Sequence, residues 1–588
     1  MNEENRVFEF ESSNPVGQVT AVDTGSVKVK VHESNDLNRI QVNRLVALES
    51  PRPAQTLIGI VTKITREGSI EFADEDSIDS TIERFEENTF KANLIGTLFD
   101  RVREERNIFR RSVDTVPSIG ASALPVADDN LTRFMQVISK TDSGGAQLRI
   151  GNYSLDDNAA ALLNGNKLFQ RHSMIVGSTG SGKSYTVASI IEQAAKLDNP
   201  NIILFDIHGE YKSLSGAAFR HLRIASSTDI ENGKSIDDGV LHLPAWLMNY
   251  EALRALLVDR SDENAPNQAM LVARTVYESK KNYLDDKKSK ISDIFTVDSP
   301  IPFDPSSVLV ELERLNTERV PDARGKEDGK AGDFNGKLSR LIARLSNKLL
   351  DKRLGFLFGG FEITSKPDWI ERFLKVLMAG RLSQSDSSGG IKIIDLSEVP
   401  SDILPFVAAT LARVVFTISQ WTKAEDRHPI AILCDEAHLY VPSSVKIDSG
   451  SEVSVAQFER IAKEGRKYGV GLCIISQRPS EVNRTVLSQC NNIIAMRLTN
   501  SDDQNVIRHL LPENLGGFGA LLPTLDVGEA LVVGDATLLP VRVRITPPEN
   551  PPLSATVPFW DEWAASRAKE AVTKSLENWQ RQSYVRSD

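Results

Sequence analysis

The sequence predicts an α/β chain with an N-terminal β-barrel and a helical insertion, on three observations. From about residue 150, continuous apolar runs alternate with helical patterns, which is how a parallel sheet covered on both faces reads. Residues 1–125 instead carry short alternating segments broken by Gly, Asn, Asp and Pro. Between the second and third apolar runs lies a mostly helical interval, 243–384, with turn-rich breaks at Asp259–Gln268 and Asp322–Asn335.

In the barrel region the expected strands are Val27–Val31, Leu45–Leu48, Gly59–Ile64 and Ala92–Leu98, with a helical interruption at Ser80–Glu87 and a linker at Leu124–Asn130. The core strands are His172–Val176, Ile202–Phe205, Ile391–Leu396, Ile430–Cys434, Gly471–Ile475 and Ile493–Leu498, closed by Glu529–Val533 and Val541–Ile545. The expected division is therefore barrel 1–125, core 126–242, insertion 243–384, core 385–546 and a C-terminal extension 547–588. A helix from Lys337 sets Arg340, Arg344, Lys348 and Lys352 at four-residue steps, with Leu338, Leu341, Ile342, Leu345 and Leu349 as the apolar side, a basic amphipathic pattern.

At 588 residues the chain exceeds one compact core, and 40% hydrophobic with 25% charged residues is ordinary for a globular protein. A net charge of −11 argues against a surface that coats nucleic acid everywhere, so any DNA contact must be local. The three cysteines, Cys434, Cys473 and Cys490, have no zinc or disulfide spacing. The start MNEENRVFEF lacks a signal-peptide pattern and no run of 18 apolar residues follows, so a cytoplasmic protein is expected.

The chemistry begins at Gly177-Ser178-Thr179-Gly180-Ser181-Gly182-Lys183-Ser184, which follows an apolar run and opens a helical one. That context makes it a P-loop: glycines let backbone N–H groups turn around phosphates at a helix N-terminus. Lys183 then reaches the β- and γ-phosphates, the Ser184 hydroxyl ligates Mg²⁺, and Tyr185 completes the expected ATP-contacting run. The core is thus expected to be a RecA-like P-loop NTPase.

The strand Ile430–Cys434 ends in Asp435 and Glu436. Asp435 suits the Mg²⁺ shell and Glu436 suits polarising the attacking water. Gln477, after Ile474-Ile475-Ser476, is placed to sense the γ-phosphate or the water. Asp435-Glu436-Ala437-His438 spells the box of two-domain helicases, yet one P-loop core is present, so an arginine completing the site must come from a neighbouring subunit. Arg466 is the first choice, because a guanidinium offers a fixed, always-charged donor fork; Arg460 and Arg171 are the alternatives. Asp206-Ile207-His208-Gly209-Glu210-Tyr211 sets an acid at a strand's carboxyl end, where ligands collect in α/β sheets. Eight unpaired histidines give no zinc site.

Together these segments resemble the HerA branch of the HerA–FtsK family of DNA-pumping ATPases, with a bacterial member expected. The resemblance rests on Arg171-His172, Gly177–Ser184, Asp206–Tyr211, Ile394-Asp395-Leu396-Ser397, Asp435–His438, Glu464-Gly465-Arg466-Lys467-Tyr468-Gly469 and Ser476-Gln477-Arg478-Pro479. It implies a homohexameric ring with double-stranded DNA in its channel and ATP and Mg²⁺ between subunits. It also implies that Arg171 lies near the nucleotide, and that the barrel docks a partner, a NurA-like nuclease in end processing or a sirtuin-like or nuclease effector in antiphage defence. The channel contacts expected from charge are Lys446, the Arg340–Arg353 stripe and the Lys326–Lys337 loop. The alternatives are a ring scaffold that activates an effector without processive movement, and a protein-translocating ATPase of related fold.

Overall fold

The computed structural model describes residues 7–8, 10, 14–71, 83–102, 105–140, 147–321, 329–378, 389–443, 449–511, 519–554, 557–564 and 572–582. In chain order the first strands are β1 (Gly17–Asp23), β2 (Ser26–Val31), β3 (Leu45–Glu49), β4 (Gln55–Glu71), β5 (Glu83–Val102), β6 (Glu105–Arg110) and β7 (Ser122–Pro125). A hairpin, β8 (Leu148–Tyr153) and β9 (Asp156–Leu163), precedes β10 (Ser173–Val176). Then come β11 (Ile202–Asp206), β12 (Phe219–Ile224), β13 (Val240–Leu241), the short pair β14 (Arg319–Val320) and β15 (Lys330–Ala331), β16 (Ile391–Asp395), β17 (Ile430–Cys434) and β18 (Val470–Ser476). The last strands are β19 (Asn492–Met496), β20 (Glu529–Gly534) and β21 (Val541–Ile545). The fold is α/β, a P-loop NTPase core with an N-terminal barrel, and it divides into two compact units, Met1–Ile190 with Asn491–Pro547, and Ile191–Cys490 with Pro548–Asp588.

In the first unit the strand order β2-β1-β7-β3-β4-β5 closes on itself through β2–β5 pairing, a six-stranded barrel with β6 added to β5. Alternation builds it: Val27, Val29 and Val31 point into a core with Leu48, Leu57 and Phe90, while Lys28 and Lys30 face out. The helix expected at Ser80–Glu87 is corrected where it is described: Glu83–Glu87 extend β5, Glu83 opposite Glu71 and Glu87 opposite Glu67. Cross-strand pairing overrides the local helix preference of Glu-Arg-Phe-Glu-Glu. The linker expected at Leu124–Asn130 is also corrected. Leu124 pairs with Ala47 as part of β7, and Asp128 opens the helix Asp128–Ile138, which buries Leu131, Phe134 and Met135. The same unit carries β10 parallel to β19, followed by the antiparallel run β19-β20-β21-β8-β9.

The second unit holds the parallel order β13-β12-β16-β11-β17-β18. Every residue of β11, β17 and β18 is buried, the burial their unbroken apolar runs call for. Register aligns the carboxyl ends, with Asp206 opposite Asp395, Phe205 opposite Cys434, and Cys434 opposite Ile474. The interval 243–384 supplies helices Tyr250–Leu257, Ala265–Asp286, Pro305–Thr317, Ser339–Leu350 and Trp369–Met378. Leu404–Trp421 is long and apolar enough to cross a membrane by length and composition, but 72% of it is buried in the protein. It is a core helix packed against Ser449–Glu464.

Candidate functional site

The phosphate-loop residues lie in the first unit, between β10 and the 13-residue helix Lys183–Ala195. Gly180 and Gly182 hold φ of 73° and 104°, the left-handed region open to glycine. A Cβ on Gly177 would run into Ser181 Oγ and lie 2.8 Å from Met496 Cβ, so side-chain-free backbone is required there. The loop is anchored from outside: Ser178 N donates to Arg497 O at 2.8 Å, Thr499 N to Ser178 Oγ at 3.2 Å, and Gly528 N to Ser181 O at 2.9 Å. Beneath it Met496 is fully buried, and Thr186 Oγ1 donates to its Sδ at 3.4 Å. Lys183 is 7% exposed, Ser184 is partly buried, and Thr179, Gly180 and Tyr185 are exposed. The run is a glycine-rich turn that opens a helix N-terminus at Lys183, the kind of position that suits a polyphosphate.

The second unit brings the acidic and amide candidates to one sheet edge. Asp435 and Glu436 follow β17 and are 2% and 3% exposed. Glu436 has φ 43°, ψ 45°, a left-handed backbone that a side-chain-bearing residue adopts only under constraint. Gln477 Nε2 donates to Glu436 Oε1 at 2.5 Å. His438 Nδ1 lies 3.3 Å from Glu436 Oε2 and 3.2 Å from Ser476 Oγ, so the two strand ends share one polar cluster. Tyr440 OH donates to Asp435 O at 2.9 Å and closes the turn.

On the neighbouring strands Asp206 is fully buried and accepts from Glu210 N at 3.0 Å and Tyr211 N at 3.1 Å. Burial pushes its carboxyl up to about 6, against the backbone donors, with Asp395 adding to the rise. Asp395 is also raised by burial, but hydrogen bonds from Ser397 and the Lys212 ammonium at 2.9 Å outweigh that and leave it below the usual carboxylate value. His208 is exposed.

The arginine candidates stand elsewhere. Arg171 precedes β10, at the opposite end of that strand from the phosphate loop, and pairs with Asp535 at 3.2 Å. Arg466 lies exposed in the turn Gly465–Tyr468, before β18, whereas Gln477 follows that strand. Arg460 packs over the Phe416 ring at 4.8 Å. The stripe expected to contact DNA is largely engaged within the chain: Arg340 lies 3.8 Å from Asp262, Arg344 2.9 Å from Asp259, and Arg353 2.7 Å from Asp351. Burial lowers Lys348, and Lys352 lies beyond the helix, which ends at Leu350. Lys446 and Lys326 fall outside the described residues, and Lys337 donates to Asp333 O.

Sequence reasoning missed the residues that brace the loop, Met496, Arg497, Thr499 and Gly528, and it quoted His438 within Asp435–His438 without giving it a role beside Glu436. Met496 ends an apolar strand and Arg497 follows it, and neither carries a motif of its own. Their role comes from the parallel pairing of β10 with β19, Val176 opposite Ala495.

Residues 148–415 match the family model described as "Helicase HerA, central domain". A DNA double-strand break repair helicase HerA from Saccharolobus solfataricus is 25% identical over 526 residues, covering 88% of this chain and 91% of the relative. A probable DNA double-strand break repair helicase HerA from Methanocaldococcus jannaschii is 28% identical over 451 residues, covering 73% and 81%. Both relatives are archaeal, which lends the expected bacterial source no support. Among solved structures, VirB4 of Thermoanaerobacter pseudethanolicus aligns with a TM-score of 0.45 at 16% identity, covering 71% of this chain and 98% of that one.

Proposed function

We propose that the chain is the ATP-hydrolysing subunit of a HerA-type homohexameric ring that moves along double-stranded DNA. The observation that carries this reading is Glu436, a buried carboxylate at a strand end, in a left-handed backbone, held by the amide of Gln477. A binding module needs the phosphate loop alone. A carboxylate oriented this closely is what a hydrolase needs in order to fix a water for in-line attack.

In this reading Gly177 through Tyr185 hold ATP, and Lys183 draws charge from the β- and γ-phosphates. Ser184 and Asp435 serve Mg²⁺. Among the described residues no group of three His, Cys, Asp or Glu side chains could hold a metal, and Mg²⁺ commonly rests on one or two protein oxygens plus substrate phosphates. When bound, the ion neutralises phosphate charge. Glu436 orients the water that attacks the γ-phosphorus, and Gln477 keeps that carboxylate aligned.

Arg466 and Gln477 lie beyond opposite ends of β18, a seven-residue strand spanning roughly 23 Å. A single guanidinium does not bridge that separation, so Arg466 is proposed to act on the site of a neighbouring subunit, with Arg171 as the second candidate. The homologous helicases carry HerA names, and the duplex-DNA substrate is taken from that likeness. The barrel is proposed to dock the partner, a nuclease of end processing or an antiphage effector. ATP turnover by the wild-type chain and by Glu436→Gln, each with and without duplex DNA, tests the reading. DNA-stimulated turnover that survives the substitution would sink it.

A further inference from the structure

Within the second unit a cavity of about 390 Å³ opens between the helices Tyr250–Leu257, Leu404–Trp421 and Ser449–Glu464. Four arginines line it, Arg254, Arg260, Arg413 and Arg460, against two carboxylates, Glu251 and Glu452. Arg254 pairs with Glu251 at 2.6 Å and Arg260 with Glu452 at 2.6 Å, so both acids are already committed. Arg460 is 3.9 Å from Glu464 and 3.4 Å from Gln420 Oε1.

Arg413 is different. Its guanidinium donates to Leu247 O, and among the described residues it forms no ion pair. Burial lowers it from the usual arginine value, only partly opposed by Asp298. A buried cation without a contacting carboxylate is costly to keep, and the wall also carries Gln457, whose buried Nε2 has no hydrogen-bond partner among the described residues. The remaining wall is small and apolar, Ala252, Ala409, Val453 and Ala456.

We infer that this cavity is a second anion site, separate from the phosphate loop, which takes the phosphate group of a nucleotide-sized ligand. Arg413 and Arg460, the two guanidiniums that neither cavity carboxylate pairs with, come from the packed helices Leu404–Trp421 and Ser449–Glu464, and such forks match a phosphate in charge and in donor geometry. The volume lies within the range of small-ligand pockets, roughly 300–1,000 Å³, and exceeds what a lone ion would fill. The phosphate belongs either to a free nucleotide or to a DNA backbone.

The test uses the full chain carrying Lys183→Ala, to silence the phosphate loop, and titrates it calorimetrically with pyrophosphate. Saturable binding is expected, weakened about tenfold or more by adding Arg413→Gln with Arg460→Gln, the two guanidiniums that no cavity carboxylate pairs with, since each removes a charge-assisted contact. Unchanged thermal melting of the triple variant shows that the loss is local. Displacement of pyrophosphate by AMP assigns the site to free nucleotide, and displacement by a short DNA duplex assigns it to the backbone. Absence of saturable binding in Lys183→Ala, binding indifferent to the arginine substitutions, or displacement by neither competitor overturns the inference and leaves the proposed ATPase site untouched.

Discussion

The side-chain amide of Gln477 donates to the carboxylate of Glu436 at 2.5 Å, across the ends of two adjacent parallel strands. Removing that donor leaves Glu436 with its left-handed backbone and takes one hydrogen bond from its carboxylate. Gln477→Ala is expected to lower kcat for ATP by about 10²-fold, the typical cost of one preorganised polar group. Nucleotide affinity should stay within about threefold, because Gln477 does not contribute to the phosphate loop. Steady-state turnover beside equilibrium nucleotide binding separates the two; an equal fall in both would assign Gln477 to binding.

Gly177 faces Ser181 Oγ and Met496 Cβ with no room for a methyl group. Gly177→Ala is therefore expected to displace the loop and weaken ATP binding by more than about tenfold, roughly 1.4 kcal/mol. Fluorescent-nucleotide titration reads this directly, and wild-type affinity in the variant would contradict the loop geometry.

Asn492 is a buried junction: Nδ2 donates to Lys167 O at 2.9 Å and His172 O at 3.1 Å, while Oδ1 accepts from Ala536 N at 2.8 Å. Asn492→Ala should cost about 2–4 kcal/mol, because it strands a buried N–H and buried carbonyls. Asn492→Asp should cost more, since it turns a carboxylate oxygen toward those carbonyls. Urea denaturation midpoints rank the variants, and an aspartate variant as stable as wild type would refute the assignment.

The carboxyl of Asp206 is raised to about 6. A raised acid binds its proton more tightly in the folded state, so its contribution to stability falls as pH rises from the unfolded value near 4 to about 6. The penalty above that window is about 3 kcal/mol. Asp206→Asn should therefore lose less stability than wild type between pH 4 and 7, measured by urea denaturation at each pH. Parallel curves would place the titration elsewhere.

Much of this was legible in the residues. The apolar runs at 202–205, 430–434 and 471–475 are strands because nothing in them needs water, and the phosphate loop announces itself by its glycines and lysine. What was hidden depends on pairing rather than pattern. β8 and β9 carry polar, interrupted segments whose strand character comes from pairing to each other and to β21. The Glu83–Glu87 run looks helical until its ladder with β4 is seen. The basic stripe reads as a solvent face because the acids that engage it, Asp259 and Asp262, lie some eighty residues earlier in the chain.

The central claim is that ATP hydrolysis at Glu436 drives movement on duplex DNA, and ATP-dependent displacement of a third strand from a DNA triplex tests it most directly. The wild-type assembly is expected to strip the third strand with ATP, while Glu436→Gln binds ATP and leaves the triplex intact. Displacement by Glu436→Gln at the wild-type rate, or none by a wild-type assembly that hydrolyses ATP, would contradict the account.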